Sequence, residues 1–245
     1  MPDFAIDLLC LPCAGASATM YLRWQRLLPR WIRIVPLELP GRGARLGESH
    51  ADDYRALVAQ LCAELPGRHG HRWALFGHSM GALLAYGLVQ ELSVRGMALP
   101  ELVFASGSPA PAQRDPAYFA GKDDDAALIA DMHRQGGTPE EVFASPELLR
   151  MTLDTLAADY RICASFEYRP GTRLRMPLHV FGGRQDEIEP DRLEAWRQEA
   201  AGAFSLQWFE GGHFFIRQRE SEVLQALAGR LRQLAGASDA SAALA

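Results

Sequence analysis

The stretch Trp73-Ala74-Leu75-Phe76-Gly77-His78-Ser79-Met80-Gly81-Ala82-Leu83-Leu84 decides how this chain folds. Four apolar residues, a Gly-x-Ser-x-Gly pentapeptide and a second apolar run follow one another, and no formal charge appears between Trp73 and Gln90. That length approaches a membrane span, but His78, Ser79, Gln90 and three glycines interrupt it. Residues 73–76 predict a buried strand, and residues 81–92 a helix that is apolar on most sides. The turn between them carries Ser79. A tight strand–turn–helix connection lifts a serine hydroxyl above the sheet edge, and small flanking residues make room for it. A serine that only capped the helix would need neither Gly77 nor Gly81.

Working outward, further strands are expected at residues 6–11, 32–37, 101–105, 177–181 and 205–209. Helices are expected at 20–28, at 52–64, where Tyr54, Leu57, Val58, Leu61 and Cys62 share one face, and at 221–234. Pro40-Gly41-Arg42-Gly43 reads as a loop. Strands alternating with helices imply an α/β fold, a mostly parallel, doubly wound sheet covered on both faces. One interval breaks the rhythm. Residues 106–176 are too many for a single crossover, so an inserted helical lid is expected at about 107–176, with helices at 126–132 and from 146 to about 166. Residues 1–235 then form a single domain, and the small, polar tail 236–245 is expected to be disordered.

Composition agrees with one large globular domain. The chain has 245 residues, 48% hydrophobic and 22% charged, with a net charge of −5. Disorder and collagen-like repeats are excluded, and a nucleic-acid role has no electrostatic support. Asp3 and Asp7 sit where a signal peptide carries no acid, so a soluble cytoplasmic protein is expected. Cys10-Leu11-Pro12-Cys13 is formally a C-x-x-C, but it runs into a loop and lacks a second pair, so no metal or redox site is expected from it.

A serine hydroxyl needs a base to become nucleophilic. In enzymes with this elbow the chain order is serine, acid, histidine. His50, His69 and His71 precede Ser79, His78 adjoins it, His133 belongs to the insertion, and His179 falls mid-strand, where a satisfied core histidine is expected. His213 remains, in Gly211-Gly212-His213-Phe214-Phe215 directly after the last strand. The orienting acid is expected after the preceding strand, in Phe181-Gly182-Gly183-Arg184-Gln185-Asp186. Asp186 is the choice, with Glu187, Glu189, Asp154 and Asp159 as rivals. Two amides should form an oxyanion hole: that of Met80, and one from the loop after the first strand, Cys13 or alternatively Ala14, since Pro12 has no N–H.

These residues together resemble the type II thioesterases of non-ribosomal peptide and polyketide synthesis, within the α/β-hydrolase superfamily. The resemblance is carried by Leu11-Pro12-Cys13-Ala14-Gly15-Ala16-Ser17, Leu39-Pro40-Gly41-Arg42-Gly43, Phe76-Gly77-His78-Ser79-Met80-Gly81-Ala82, Gly136-Gly137-Thr138-Pro139-Glu140-Glu141 and the acid and base loops, in order over residues 6 to about 232. Ala16 departs from the family's second glycine, and Cys13 takes a position often aromatic or His. The resemblance implies hydrolysis of acyl groups from the phosphopantetheine arm of an acyl or peptidyl carrier protein. It implies a transient partnership, a monomer, no membrane or nucleic-acid partner, and no cofactor beyond the arm that the substrate brings. Rival functions are a small-molecule carboxylesterase or lipase, and an inactive hydrolase-fold binding module. Arg23, Arg26, Arg30, Arg33, Arg42 and Arg45 offer either a docking patch for an acidic carrier protein or an ordinary solvated face.

Overall fold

The computed structural model describes residues 5–65, 72–119 and 121–242. Six strands, β1 (Ile6–Leu11), β2 (Ile32–Pro36), β3 (Trp73–His78), β4 (Val103–Ser106), β5 (Leu178–Gly183) and β6 (Phe204–Phe209), form one sheet in the order β2-β1-β3-β4-β5-β6. Every pairing is parallel. The order reverses between β1 and β3. In an open parallel sheet the crevice beyond the strand ends at such a reversal is where ligands bind.

The sheet is buried on both faces because alternate residues point to opposite sides. Leu9, Leu11, Trp73 and Leu75 enter one core, with helices α2 (Tyr54–Glu64) and α3 (Met80–Val94). Ile6, Leu8, Cys10, Ala74 and Phe76 enter the other, with α1 (Trp24–Leu27) and residues of α9 (Glu220–Ala242). Fully burying side chains such as Leu9 or Phe76 contributes about 2 kcal/mol each, so these two layers supply most of the apolar burial.

The interval between β4 and β5 carries α4 (Asp125–Gln135), α5 (Glu140–Ala144) and α6 (Pro146–Ala164). Leu128, Met132, Leu153, Leu156 and Tyr160 form a small third cluster there. Ile162, Cys163 and Phe166, however, belong to the main core. The covering layer is therefore α4, α5 and the first part of α6, while the end of α6 is part of the domain proper. Two short helices, α7 (Pro190–Glu194) and α8 (Phe215–Gln218), follow the acid and base loops.

Three elements differ from expectation. The helix expected at 20–28 is a 3₁₀ turn (Ala18–Tyr21) followed by α1. Its buried residues, Ala18, Tyr21 and Trp24, recur every third position, a spacing that suits 3₁₀ turns. Leu22 is 54% exposed and contributes nothing to the core. The strand expected at 73–76 runs on to His78, which brings the turn directly onto Ser79. In the tail expected to be disordered from residue 236, α9 is described as far as Ala242. Residues 243–245 lie outside the described residues.

Candidate active site

Ser79 has φ 56° and is the only non-glycine residue with positive φ among the described residues. Such a conformation costs of order 1–3 kcal/mol and persists only when its surroundings over-determine it. Both flanking glycines do so. A Cβ on Gly77 would strike the Gly81 carbonyl, and one on Gly81 would strike the Leu11 and Pro12 carbonyls. The elbow therefore closes on itself and packs directly against the end of β1. The Ser79 N–H also donates to the Ser106 carbonyl at 2.7 Å. Met80 is the first residue of α3, so its N–H has no intrahelical acceptor. The loop after β1 lies beside it, and Cys13, Ala14, Ser79 and Met80 all line one cavity of about 190 Å³.

The acid and base loops meet by the same device. A Cβ on Gly183 would press on the carbonyls of Gly211 and Gly212. This approach brings His213 Nδ1 to 2.9 Å from Asp186 Oδ2, with the two side chains 13% and 3% exposed. Both residues line the cavity that holds Ser79. The rivals of Asp186 are otherwise placed. Glu187 lines the same cavity but is exposed and faces Arg134, and Glu189 is exposed. Asp154 pairs with Arg150 on the surface, and Asp159 is wholly buried against Arg42.

The other histidines fall into place. His179 is buried in β5 with Nδ1 2.6 Å from the Ser205 hydroxyl, and burial holds its pKa down at about 4. His133 stacks on Phe143, and His50 lies 3.4 Å from the Thr155 hydroxyl. His69 and His71 lie outside the described residues. His78 is fully buried under the site, with Nδ1 3.0 Å from the Ser106 hydroxyl and its ring 5.1 Å from that of His213. Burial, reinforced by the nearby His213 and Arg217, pushes its pKa well below the ordinary histidine range. His78 is thus a neutral floor to the site. Cys13 and Cys163, both on the cavity wall, are free thiols whose pKa values burial pushes up to about 11. They are therefore poor nucleophiles at neutral pH.

Folding divides the six arginines offered as a docking patch, and Arg26 and Arg30 stay exposed. Arg42 is buried, Arg33 binds Asp7, Arg45 binds Glu48 and Glu64, and Arg23 binds Glu220. Opposite charges near in space claim each other, and sequence clustering carries no information about that. Three features escaped sequence reasoning. Buried Asp131 in α4 gathers Lys122 Nζ (3.1 Å), Gln135 Nε2 (2.9 Å), Arg134 and the Tyr160 hydroxyl at the edge of the cavity. The Arg217 guanidinium donates to the Gly137 carbonyl, and the Phe214 ring occupies the space beside Gly137, so the lid is tied to the base loop. The third is the Arg42–Asp159 pair itself.

The fold and this constellation define a serine hydrolase of the α/β-hydrolase class. The thioesterase domain family model matches residues 7–232, and the chain belongs to that family. It is 33% identical to Linear gramicidin dehydrogenase LgrE of Brevibacillus parabrevis over 223 residues, 89% of this chain and 85% of LgrE. It is 32% identical to Thioesterase PikA5 of Streptomyces venezuelae over 241 residues, 98% of this chain and 85% of PikA5. The solved structure of BorB, the type II thioesterase from the borrelidin biosynthetic cluster, superposes with a TM-score of 0.83 at 36% identity, covering 93% of each chain. The dehydrogenase in LgrE's name describes LgrE. Here the turn after β1 has one glycine, Gly15, and not the Gly-x-Gly-x-x-Gly that cradles a dinucleotide. No helix among the described residues is long and apolar enough to cross a membrane.

Proposed function

We propose that Ser79, His213 and Asp186 hydrolyse acyl groups from the phosphopantetheine thioester of a carrier protein, clearing stalled or aberrant units from a non-ribosomal peptide or polyketide synthase. The observation that carries this is the His213–Asp186 contact at 2.9 Å in the cavity that also holds the strained Ser79. His213 Nδ1–H donates a hydrogen bond to Asp186, which leaves Nε2 as the base. Ser79 Oγ attacks the thioester carbonyl while its proton passes to His213. The amides of Met80 and of Cys13 or Ala14 meet the developing oxyanion. The C–S bond breaks, the sulfur takes the proton from His213, and the acyl group remains on Ser79. Water then attacks the acyl-enzyme with His213 again as base, the bond from the acyl carbon to Ser79 Oγ breaks, Oγ takes the proton back from His213, and the free acid leaves. A thiol, with a pKa near ~8.5, departs more readily than an alcohol, so simple esters should be poorer substrates. The enzyme works as a cytoplasmic monomer with no cofactor of its own, and the carrier protein docks only transiently.

A panel of acyl-loaded carrier proteins beside simple esters tests this. Carrier thioesters should be hydrolysed preferentially. Ser79→Ala and His213→Ala should each lower kcat by about 10⁶-fold and Asp186→Asn by about 10⁴-fold. A strong preference for esters, or full turnover by Ser79→Ala, would overturn the assignment.

A further inference from the structure

Arg42 and Asp159 are 117 residues apart in sequence and form the most deeply buried ion pair of the site region, with side chains 5% and 0% exposed. The contact is bidentate, Nη1 to Oδ2 and Nη2 to Oδ1, both at 2.6 Å. Asp159 Oδ2 also accepts the N–H of Gly15 at 2.8 Å, and Arg42 Nη1 donates to the Ala16 carbonyl at 3.3 Å. Gly15 and Ala16 belong to the loop after β1, next to Cys13 and Ala14. The rest of that loop is also fixed. Tyr21 donates to the Leu11 carbonyl, Ala16 N–H to the Cys13 carbonyl, and Ser17 and Ala18 to the Glu38 carboxylate. The amides of Cys13 and Ala14 lie between these anchors.

Buried ion pairs are inefficient stabilisers: apolar side chains of similar volume often leave a protein as stable or more so. Two apolar residues here could hold α6 against the Pro40-Gly41-Arg42 turn. They could not accept the Gly15 N–H or donate to Ala16. Gly15 itself has φ 75°, and a Cβ there would press on Leu156, one turn before Asp159 on the same helix. Helix α6 therefore touches the loop at two points, by packing at Leu156 and by hydrogen bonding at Asp159.

We propose that Asp159, oriented by Arg42, is a positioning residue for the oxyanion hole. Its carboxylate fixes the rotation of the 13–15 peptide planes, so that the Cys13 or Ala14 amide faces the oxyanion formed at Ser79. The same contact makes the geometry of the hole depend on the seating of α6, whose first part belongs to the lid. The proposal rests on the thioesterase mechanism above and gives the Leu-Pro-Gly-Arg segment a chemical task.

The test uses the full chain, a butyryl thioester of N-acetylcysteamine and butylboronic acid, which forms a tetrahedral adduct on a nucleophilic serine. The double variant Arg42→Met/Asp159→Leu removes the charges while retaining bulk. It should melt within a few degrees of the parent and keep KM within about threefold. Losing one oriented donor should lower kcat by about 10²-fold, with boronate affinity falling in parallel. Arg42→Lys, which keeps the charge but loses the fork, should lower kcat by about tenfold at unchanged KM and melting temperature. If the double variant melts normally and its kcat and boronate affinity stay within about threefold of the parent, the proposal fails. It also fails if kcat per titrated Ser79 is unchanged and activity merely follows the folded fraction. Should the double variant not fold, an unchanged kcat in Arg42→Lys overturns the proposal by itself. Loss of the thioesterase reading is recognised separately, by a parent enzyme that leaves the thioester intact.

Discussion

The elbow at Ser79 and the lid above it are built on opposite terms. At the elbow, main chain meets main chain. Gly77 abuts Gly81, Gly81 abuts Leu11 and Pro12, and His78 and Met80 on either side of the serine are buried. In the lid, five of the described residues form a buried apolar cluster, beside a polar group centred on Asp131. Leu148 and Met151 on the outer side of α6 are 47% and 49% exposed. Chemistry that needs ångström-level placement sits where close packing leaves no alternative. The layer above it is thin, and a layer with few buried apolar contacts opens at small cost in free energy.

The contrast can be broken from either side. Gly81→Ala should damage the fold more than any change in the lid, because the added Cβ meets carbonyl oxygens that cannot move without unseating β1. Overpacking of this kind costs about 1–3 kcal/mol. A lowered melting temperature and lost hydrolysis should be seen together, and wild-type values for both would show that the elbow is softer than its contacts imply.

Acidification should weaken the sheet before the lid. His179 is held at about 4 by burial, below the ~6.5 of an exposed histidine. The native state binds fewer protons than the unfolded chain in that window. The stability associated with neutral His179 is thus complete above pH ~6.5 and is lost as the pH falls toward about 4, by up to about 3 kcal/mol. Buried His78 acts in the same direction. Denaturant midpoints for His179→Asn should flatten over that range, and an unaltered slope would remove His179 from the account.

Asp131→Asn should act on the lid alone. Its cationic partners Lys122 and Arg134 would lose their counter-charge. We expect KM for carrier thioesters to rise about tenfold, kcat to stay within about threefold and amide exchange in α4 to quicken. Equal loss of kcat would mean that lid and elbow are one unit. The smallest effect is expected from Cys13→Ala, within about threefold in kcat/KM, because the proposed mechanism uses a backbone N–H of Cys13 or Ala14 and not the thiol. A large loss would return the Cys13 side chain to the mechanism.

Much of the site could be read before folding because its signals are local. Gly77 and Gly81 bracket Ser79 in sequence as they do in space. Gly211-Gly212 announces the loop that carries His213, and Gly182-Gly183 the one that carries Asp186. The strands of a doubly covered sheet are continuous apolar runs, so their places followed from residues such as Leu8-Leu9-Cys10 and Val103-Phe104-Ala105. The helix expected at 20–28 failed for a related reason: Leu22 and Leu27 carry the right character but face solvent. Periodicity says which residues could share a face; neighbours decide whether that face is used.

By itself the sequence determined the alternation of strand and helix, the strained turn at Ser79 and the chain order of Ser79, Asp186 and His213. Each depends on a few consecutive residues whose backbone preferences are intrinsic. Only the tertiary structure decided which of five carboxylates reaches His213, which arginines remain for a partner, and that Arg42 and Asp159 brace the loop beside Ser79. Charge pairing acts over a few ångströms between segments a hundred residues apart, and a linear chain does not record that distance.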